Sequence, residues 1–207
     1  MSRRILTGIT TTGIPHIGNY FGAIKPALHL SCEKNVSSYF FLADLHAIIK
    51  QTNPNEIKVS VNEVALAWLS SGLDPEKSFF YRQSNIPEIT ELAWILSCVT
   101  AKGLINRSHA YKAAVQLNHD HTKDEDKGIS MGLFSYPVLM AADILMFNSS
   151  HVPVGKDQLQ HLEITRDIAE KFNHQYGNAF VIPEAIINKG GKLLVGHDGR
   201  KMSKSYN

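Results

Sequence analysis

The run Arg4-Ile5-Leu6-Thr7-Gly8-Ile9 passes through Thr10-Thr11-Thr12-Gly13-Ile14-Pro15 and His16-Ile17-Gly18-Asn19 into an apolar-periodic stretch from Tyr20 to Cys32. That order predicts a strand, a Thr/Gly-rich turn and a helix. Further along, Ser38-Tyr39-Phe40-Phe41-Leu42-Ala43 and Ser78-Phe79-Phe80-Tyr81-Arg82-Gln83 are apolar runs without clean alternation, the pattern of parallel strands buried on both faces. Between them, Asn53 is placed to cap a helix with Pro54 at its first position and Glu56 three residues after the cap; Val59, Val64, Ala65, Trp68 and Leu69 supply its apolar face up to Gly72. Asn85, Pro87 and Glu88 start another, buried through Ile89, Leu92, Ala93, Ile95, Leu96 and Val99 before Gly103. Trp68 and Trp94, at helical spacing among apolar neighbours, are both expected in the core. Strands separated by such helices imply right-handed crossovers in a parallel α/β sheet, with the ligand crevice beyond the carboxyl ends of the strands.

The middle of the chain is less regular. Asn106 to Gln116 is predicted helical, 119–127 is a polar loop, and Met131 to Phe147 is a strongly apolar helix with Pro137 near its start. His151-Val152-Pro153-Val154 then reads as a short strand, followed by a long amphipathic helix from about Asp157 to Phe172 and a last strand at Ala179-Phe180-Val181-Ile182.

At 207 residues and 43% hydrophobic, the chain has material for one substantial core. Its 21 Lys and Arg against 19 Asp and Glu give a net charge of +2, which excludes a strongly basic nucleic-acid module but not a local basic site. Cys32 and Cys98 make neither a disulfide framework nor a metal set, and no apolar leader follows Met1-Ser2-Arg3-Arg4. A reducing cytoplasm and no membrane partner are the expectation.

Gly8, Gly13, Gly18 and Gly22 surround the first turn, where glycines permit a phosphate to approach backbone amides and His16 can add a hydrogen bond to a phosphate or leaving oxygen. The spacing is that of neither a P-loop nor a dinucleotide fingerprint. Near the other end, Lys201-Met202-Ser203-Lys204-Ser205 lies on a Gly-flanked loop, where two lysines can approach the oxygens of a triphosphate. Asp143, within Tyr136-Pro137-Val138-Leu139-Met140-Ala141-Ala142-Asp143-Ile144-Leu145, is a carboxylate in apolar surroundings. It needs a donor, and either protein backbone or a ligand can supply one. Tyr136, Met140 and Asp143 share one helix face.

His16-Ile17-Gly18-Asn19 resembles the first signature of class I aminoacyl-tRNA synthetases, with Asn in its fourth position, and Lys201-Met202-Ser203-Lys204-Ser205 matches their second. The Tyr136 to Leu145 stretch and Val152-Pro153-Val154-Gly155-Lys156-Asp157-Gln158-Leu159-Gln160-His161 resemble the bacterial tryptophanyl branch. The resemblance implies a Rossmann-like parallel sheet flanked by helices and an ATP site formed by Thr12, Gly13, His16, Gly18 and Asn19 with Lys201, Met202, Ser203, Lys204 and Ser205. It further implies catalytic roles for His16, Asn19, Lys201 and Lys204. Lys112 resembles a family lysine near the ATP phosphates, although Ala113 and Ala114 follow where a second lysine is expected. Thr10-Thr11-Thr12 also departs from the family lead-in.

For the amino acid, the same resemblance implies that Asp143 accepts the indole N–H, Met140 packs on the rings, Val152 and Val154 wall the pocket, Tyr136 and Gln158 hold the ammonium, and His46 lies close by. An acceptor carboxylate in an aromatic-sized apolar slot suits indole better than a phenol. The implied activity is ATP-dependent formation of tryptophanyl-adenylate and transfer to tRNA(Trp) in a longer protein, with Mg²⁺ arriving on the phosphates, no protein metal ligands, no DNA partner and a homodimer. Residues 1–207 are then the catalytic domain, ending just past the second signature without the helical anticodon-binding part. Tyrosine specificity on the same scaffold, or a non-catalytic tryptophan- and nucleotide-binding homologue, are the alternatives. His119, Asp120, His121, Asp124 and Asp126 read as a solvated loop in preference to a metal site.

Overall fold

The computed structural model describes residues 3–155 and 158–187. They form two compact units: one holds residues 3–86, 151–155 and 186–187, the other 87–150 and 158–185.

The first unit is built on β1 (Arg3–Thr10), β2 (Val36–Ala43), β3 (Phe79–Arg82) and β4 (His151–Val154). With β5 (Glu184–Ile187) at the far edge, the strand order is β3-β2-β1-β4-β5. β1 pairs in parallel with β2 from Arg3↔Val36 to Thr10↔Ala43, β2 with β3, and β1 with β4 through Ile5↔His151. The two apolar runs thus lie in a parallel sheet, but of the two only β2 is an interior strand: β3 lies at the edge, so it is not buried on both faces, and its Phe79 is 59% exposed. One face carries Ile9, Phe40 and Leu42, which pack with Ile24, Ala27, Val61, Val64, Trp68 and Leu73. The Trp68 and Phe40 rings lie 4.8 Å apart and both are fully buried; truncating a ring of this size in a core costs about 3–5 kcal/mol.

The helix expected from Tyr20 to Cys32 is broken into α1 (Ile17–Asn19), a π turn (Tyr20–Ile24) and α2 (Lys25–Ser31). Pro26 has no N–H to give the carbonyl four residues earlier, and the wider turn immediately before it accommodates the loss. α3 (Asp44–Ala47) follows β2, and α4 (Pro54–Ser70) starts as predicted: the Asn53 side chain accepts from the Asn55 amide at 3.0 Å and Pro54 occupies the first position. Glu56 contributes differently from a capping box. It accepts from the Asn53 side-chain amide at 3.1 Å, while the Asn53 backbone N–H goes to Gln51 Oε1.

Gly8 departs from its expected role beside a phosphate. It lies inside β1, and a methyl group there would meet the Phe41 ring, at 2.8 Å from Cε2 and closer still to Cζ and Cε1. Gly13, at φ 77°, does occupy the turn conformation that favours glycine.

The second unit comprises α5 (Glu88–Val99), α6 (Lys102–Ile105), α7 (His109–Asp120), α8 (Met131–Met146) and α9 (Leu159–Tyr176). α8 begins at the Ser130 cap, whose hydroxyl accepts from the Leu133 amide at 3.1 Å, and Pro137 falls inside the helix. α7 starts three residues later than the sequence pattern suggests. The Gln160 side chain donates to the Arg107 carbonyl at 3.0 Å and accepts from the His109 amide at 2.8 Å, fixing the chain just ahead of the helix.

Trp94 and Ile95 are not in the core: they are 72% and 48% exposed on α5, whereas Ile89, Leu96 and Val99 of the same helix are buried. On α4 the expected face is displaced, with Val59 and Leu69 exposed and Val61, Val64 and Trp68 buried. The last strand is also shifted. The Asn173 side chain binds Ala179 N, Phe180 N and Phe180 O at 2.7–3.0 Å, holding 179–180 in a turn, and Pro183 cannot donate, so β5 begins only at Glu184. No helix of the described residues is long and apolar enough to cross a membrane.

Candidate active site

In the first unit, the predicted site residues gather where β1, β2 and β4 end. After β1, Thr12, Gly13, His16, Gly18 and Asn19 occupy the turn into α1. His16 is extended, with φ −104° and ψ 170°, and its backbone N–H donates to Asn19 Oδ1 at 3.0 Å. Asn19 therefore shapes this turn by reaching back to it, a local reason for an amide three residues after the histidine. The Ser60 hydroxyl of α4 donates to the Gly13 carbonyl at 3.1 Å, which fastens the glycine from outside the loop. Val152 and Val154 are buried on β4, beside β1.

His46 sits half-buried in α3, at the end of β2, held by residues that the sequence pattern does not single out. Gln83, fully buried after β3, accepts at its Oε1 from the Leu45 amide at 3.1 Å and the His46 amide at 3.4 Å. Asp44 accepts from Arg82 Nε at 2.5 Å, the Ser84 hydroxyl at 2.6 Å and the Ser84 amide at 3.0 Å. Burial pushes the Asp44 carboxyl up, but the Ser84 hydroxyl, Arg82 and the Ser84 amide together outweigh it and hold it below the usual carboxylate value. The Arg82-Gln83-Ser84 string, which reads as a strand end, thus clamps the turn that carries His46.

A groove of about 810 Å³ in this unit, lined by Tyr20, Phe21, Lys25, His29, Lys77 and neighbours, contains none of the predicted site residues.

In the second unit, α8 places Tyr136, Met140 and Asp143 on one face as their spacing requires. Asp143 is 1% exposed, while Tyr136 and Met140 are half-buried. Burial raises the Tyr136 phenol above its ordinary value, so it stays protonated and can donate. Gln158 lies at the start of α9, and one turn on, His161 links it to Tyr136: the ring nitrogens meet Tyr136 Oη on one side and Gln158 Oε1, at 3.1 Å, on the other. Sequence reading gives His161 no role, although its place three residues after Gln158 on a helix is a signal that could have found it.

Lys112 is exposed on α7. The nearby polar loop is ordered by protein contacts: Asn118 donates to the Glu125 and Lys127 carbonyls at 2.8 and 2.9 Å, and the Tyr111 hydroxyl donates to Asp126 at 3.0 Å. Among the described residues, no three His, Cys, Asp or Glu side chains converge as a metal-ligand set. Lys201, Met202, Ser203, Lys204 and Ser205 lie outside the described residues.

Two kinds of chemistry are thus represented. The turn after β1 offers backbone and imidazole groups at strand ends, where parallel sheets bind ligands. α8 and α9 offer a buried carboxylate, a thioether and a phenol–imidazole–amide chain, a combination suited to an aromatic molecule with one N–H and an amine.

Residues 2–207 match the family described as tRNA synthetases class I (W and Y). The tryptophan–tRNA ligase of Bordetella pertussis is 61% identical over 208 residues, a match that spans all of this chain and 46% of that protein. The Neisseria meningitidis tryptophan–tRNA ligase is 59% identical over 99% of this chain and 61% of its own length. The chain therefore spans about half the length of the curated relatives it matches. Among solved structures, the tryptophanyl-tRNA synthetase of Campylobacter jejuni complexed with ADP and tryptophan superposes with a TM-score of 0.86 at 48% identity, over 98% of this chain and 60% of that one. A tyrosyl-tRNA synthetase from Archaeoglobus fulgidus shares the fold with a TM-score of 0.74 at 20% identity.

Proposed function

Because this chain belongs to the class I tRNA synthetases of the tryptophan and tyrosine group, we propose that it carries the amino-acid-activating site of a tryptophan–tRNA ligase. The reaction joins L-tryptophan to ATP: a carboxylate oxygen attacks the α-phosphorus, the bond to the bridging oxygen breaks, and pyrophosphate leaves with the electron pair. The product is tryptophanyl-adenylate, whose acyl group then passes to tRNA(Trp) in the longer protein. The observation that carries the reading is Asp143, a carboxylate 1% exposed on the same face of α8 as Tyr136 and Met140. A buried acceptor flanked by a thioether suits an indole N–H and discriminates against side chains that lack a donor there.

The remaining assignments follow the resemblance. Asp143 takes the indole N–H, Met140 packs on the rings, and Val152 and Val154 line the slot near His46. Tyr136 and Gln158 take the ammonium. Thr12, Gly13, His16, Gly18 and Asn19 receive ATP, and Lys201 and Lys204 stabilise the charge that accumulates on the departing phosphates, with Lys112 as a further phosphate contact. Mg²⁺ would come with ATP and would offset the charge of its phosphates, and no protein residue is assigned to hold it. The protein works in the cytoplasm as a homodimer.

Amino-acid-dependent exchange of labelled pyrophosphate into ATP, measured on the protein in its natural full length, tests the reading. Exchange with tryptophan and not tyrosine is the expected result. Exchange driven by tyrosine, or tryptophan binding with no exchange, overturns it.

A further inference from the structure

His161 is 5% exposed on α9, and its ring centroid lies 5.2 Å from that of Tyr136, tilted by 59°. Its Nε2 meets the Tyr136 hydroxyl, and its Nδ1 lies 3.1 Å from Gln158 Oε1. The backbone is tied as well, since the Thr165 hydroxyl donates to the His161 carbonyl at 2.9 Å. One buried imidazole therefore connects the two side chains to which the proposed function gives the amine of the substrate.

One tautomer of His161 satisfies both contacts at once. An amide oxygen can only accept, so the contact with Gln158 requires the hydrogen on Nδ1. In a neutral imidazole, Nε2 then carries a lone pair, and the phenol O–H of Tyr136 donates into it. A phenol carries its proton at neutral pH, and burial pushes the Tyr136 phenol further up, so the donor is present. The single hydrogen of the Tyr136 hydroxyl is thereby directed to His161, and toward a ligand both Tyr136 Oη and Gln158 Oε1 act as acceptors. An ammonium group has three donors and no acceptor, so it is the complementary head group. A hydroxyl or carboxylate in the same place gains less from two oxygens.

We propose that His161 is a positioning residue: held between α8 and α9 with its proton on Nδ1, it sets Tyr136 and Gln158 as a pair of acceptors and so selects a protonated amine. The inference rests on the reading that these two side chains hold the amine. It adds the residue that determines their polarity.

The test compares two ligands on the protein in its natural full length, without ATP, by titration calorimetry: L-tryptophan, and indolepropionate, which keeps the indole and carboxylate but has no amine. His161→Leu removes both ring contacts. His161→Gln puts an amide oxygen near the former Nε2 position. The expectation for His161→Leu is a loss of roughly tenfold or more in tryptophan affinity, the size of a hydrogen bond to a charged group, with a change of about twofold or less for indolepropionate. His161→Gln should recover part of the loss for tryptophan alone. Equal weakening of both ligands assigns His161 a packing role and overturns the proposal, as does no weakening of either. If His161→Leu does not fold, His161→Gln carries the same comparison, with a loss smaller in size but still confined to tryptophan. Tyr136→Phe separates this inference from the reading beneath it. If that variant distinguishes the two ligands and the His161 variants do not, the inference alone fails. If none of them does, the assignment of the amine to Tyr136 fails as well.

Discussion

Gln83 offers the sharpest test of how the sheet positions the site. Its Oε1 is shared by the amides of Leu45 and His46, the second and third residues of α3, at 3.1 and 3.4 Å. First-turn amides have no acceptor within their own helix, so this one side chain from 38 residues away supplies what the turn lacks. Gln83→Met keeps the volume and the unbranched shape and removes the acceptor. A buried donor left without a partner costs about 1–3 kcal/mol; these two bonds are part-buried, so each is counted at the low end and the pair comes to about 2 kcal/mol. Methionine leaves little cavity, so the loss is electrostatic in origin and not a packing defect. Urea unfolding of wild type and variant measures the total, and native-state hydrogen exchange reads its location: the Leu45 and His46 amides should exchange about 30-fold faster or more, while amides in the middle of α4 keep their protection. If the proposed function is right and His46 borders the amino-acid pocket, the KM for tryptophan should rise more than the KM for ATP. A stability loss below about 0.5 kcal/mol with unchanged exchange at Leu45 and His46 would refute the clamp.

Gly8→Ala should cost about 1–3 kcal/mol by overpacking against Phe41, and little in a Phe41→Ala background; an equal cost in both, read by denaturant midpoints, removes the close-approach argument. Asp44 has a depressed value in the folded state, so its contribution to stability is complete above the unfolded carboxylate value and is lost as pH falls through the lower folded one. Asp44→Asn should therefore lower stability at neutral pH and flatten the acid limb of the stability profile; an acid limb identical to wild type contradicts the assignment. Arg82 is 43% exposed, and the salt dependence of that limb should be modest. Asp143→Ala should raise the KM for tryptophan roughly tenfold or more and leave ATP binding nearly intact, whereas equal loss of both would mean that the carboxylate supports the fold instead of the indole.

The parts of the fold that follow from local chemistry are visible in the sequence. Asn53-Pro54 starts α4, the apolar runs around Ile5 and Phe40 become paired parallel strands, and the spacing of Tyr136, Met140 and Asp143 gives their shared face. What the sequence hides depends on side chains that reach across it. The Asn173 amide takes 179–180 out of the expected strand, and Gln160 fixes the start of α7 from 51 residues away. Trp94 fails for a different reason: α5 is apolar on more than one side, so helical periodicity cannot say which face water touches. The site divides the same way. The residues proposed to face the ligand can be read from strings, but the contacts that hold them, Gln83 to the His46 amide and His161 between Tyr136 and Gln158, cannot.

The order of strands in the sheet also sets a timetable for synthesis. β1 lies between β2 and β4, and its β2 side can close once the first 43 residues are available. Its other edge waits for His151. After Ile86 completes the segment through β3, roughly 65 more residues must be made, which at ribosomal rates of 5–20 residues per second is about 3–13 s. For that interval the nascent chain carries an apolar central strand with one open edge, the feature that invites pairing with the wrong partner. Arg3 and Arg4 at its start are the charges best placed to discourage such pairing until β4 arrives. The open edge of β1 is thus exposed on the ribosome for as long as residues 87–150 of the second unit are being made.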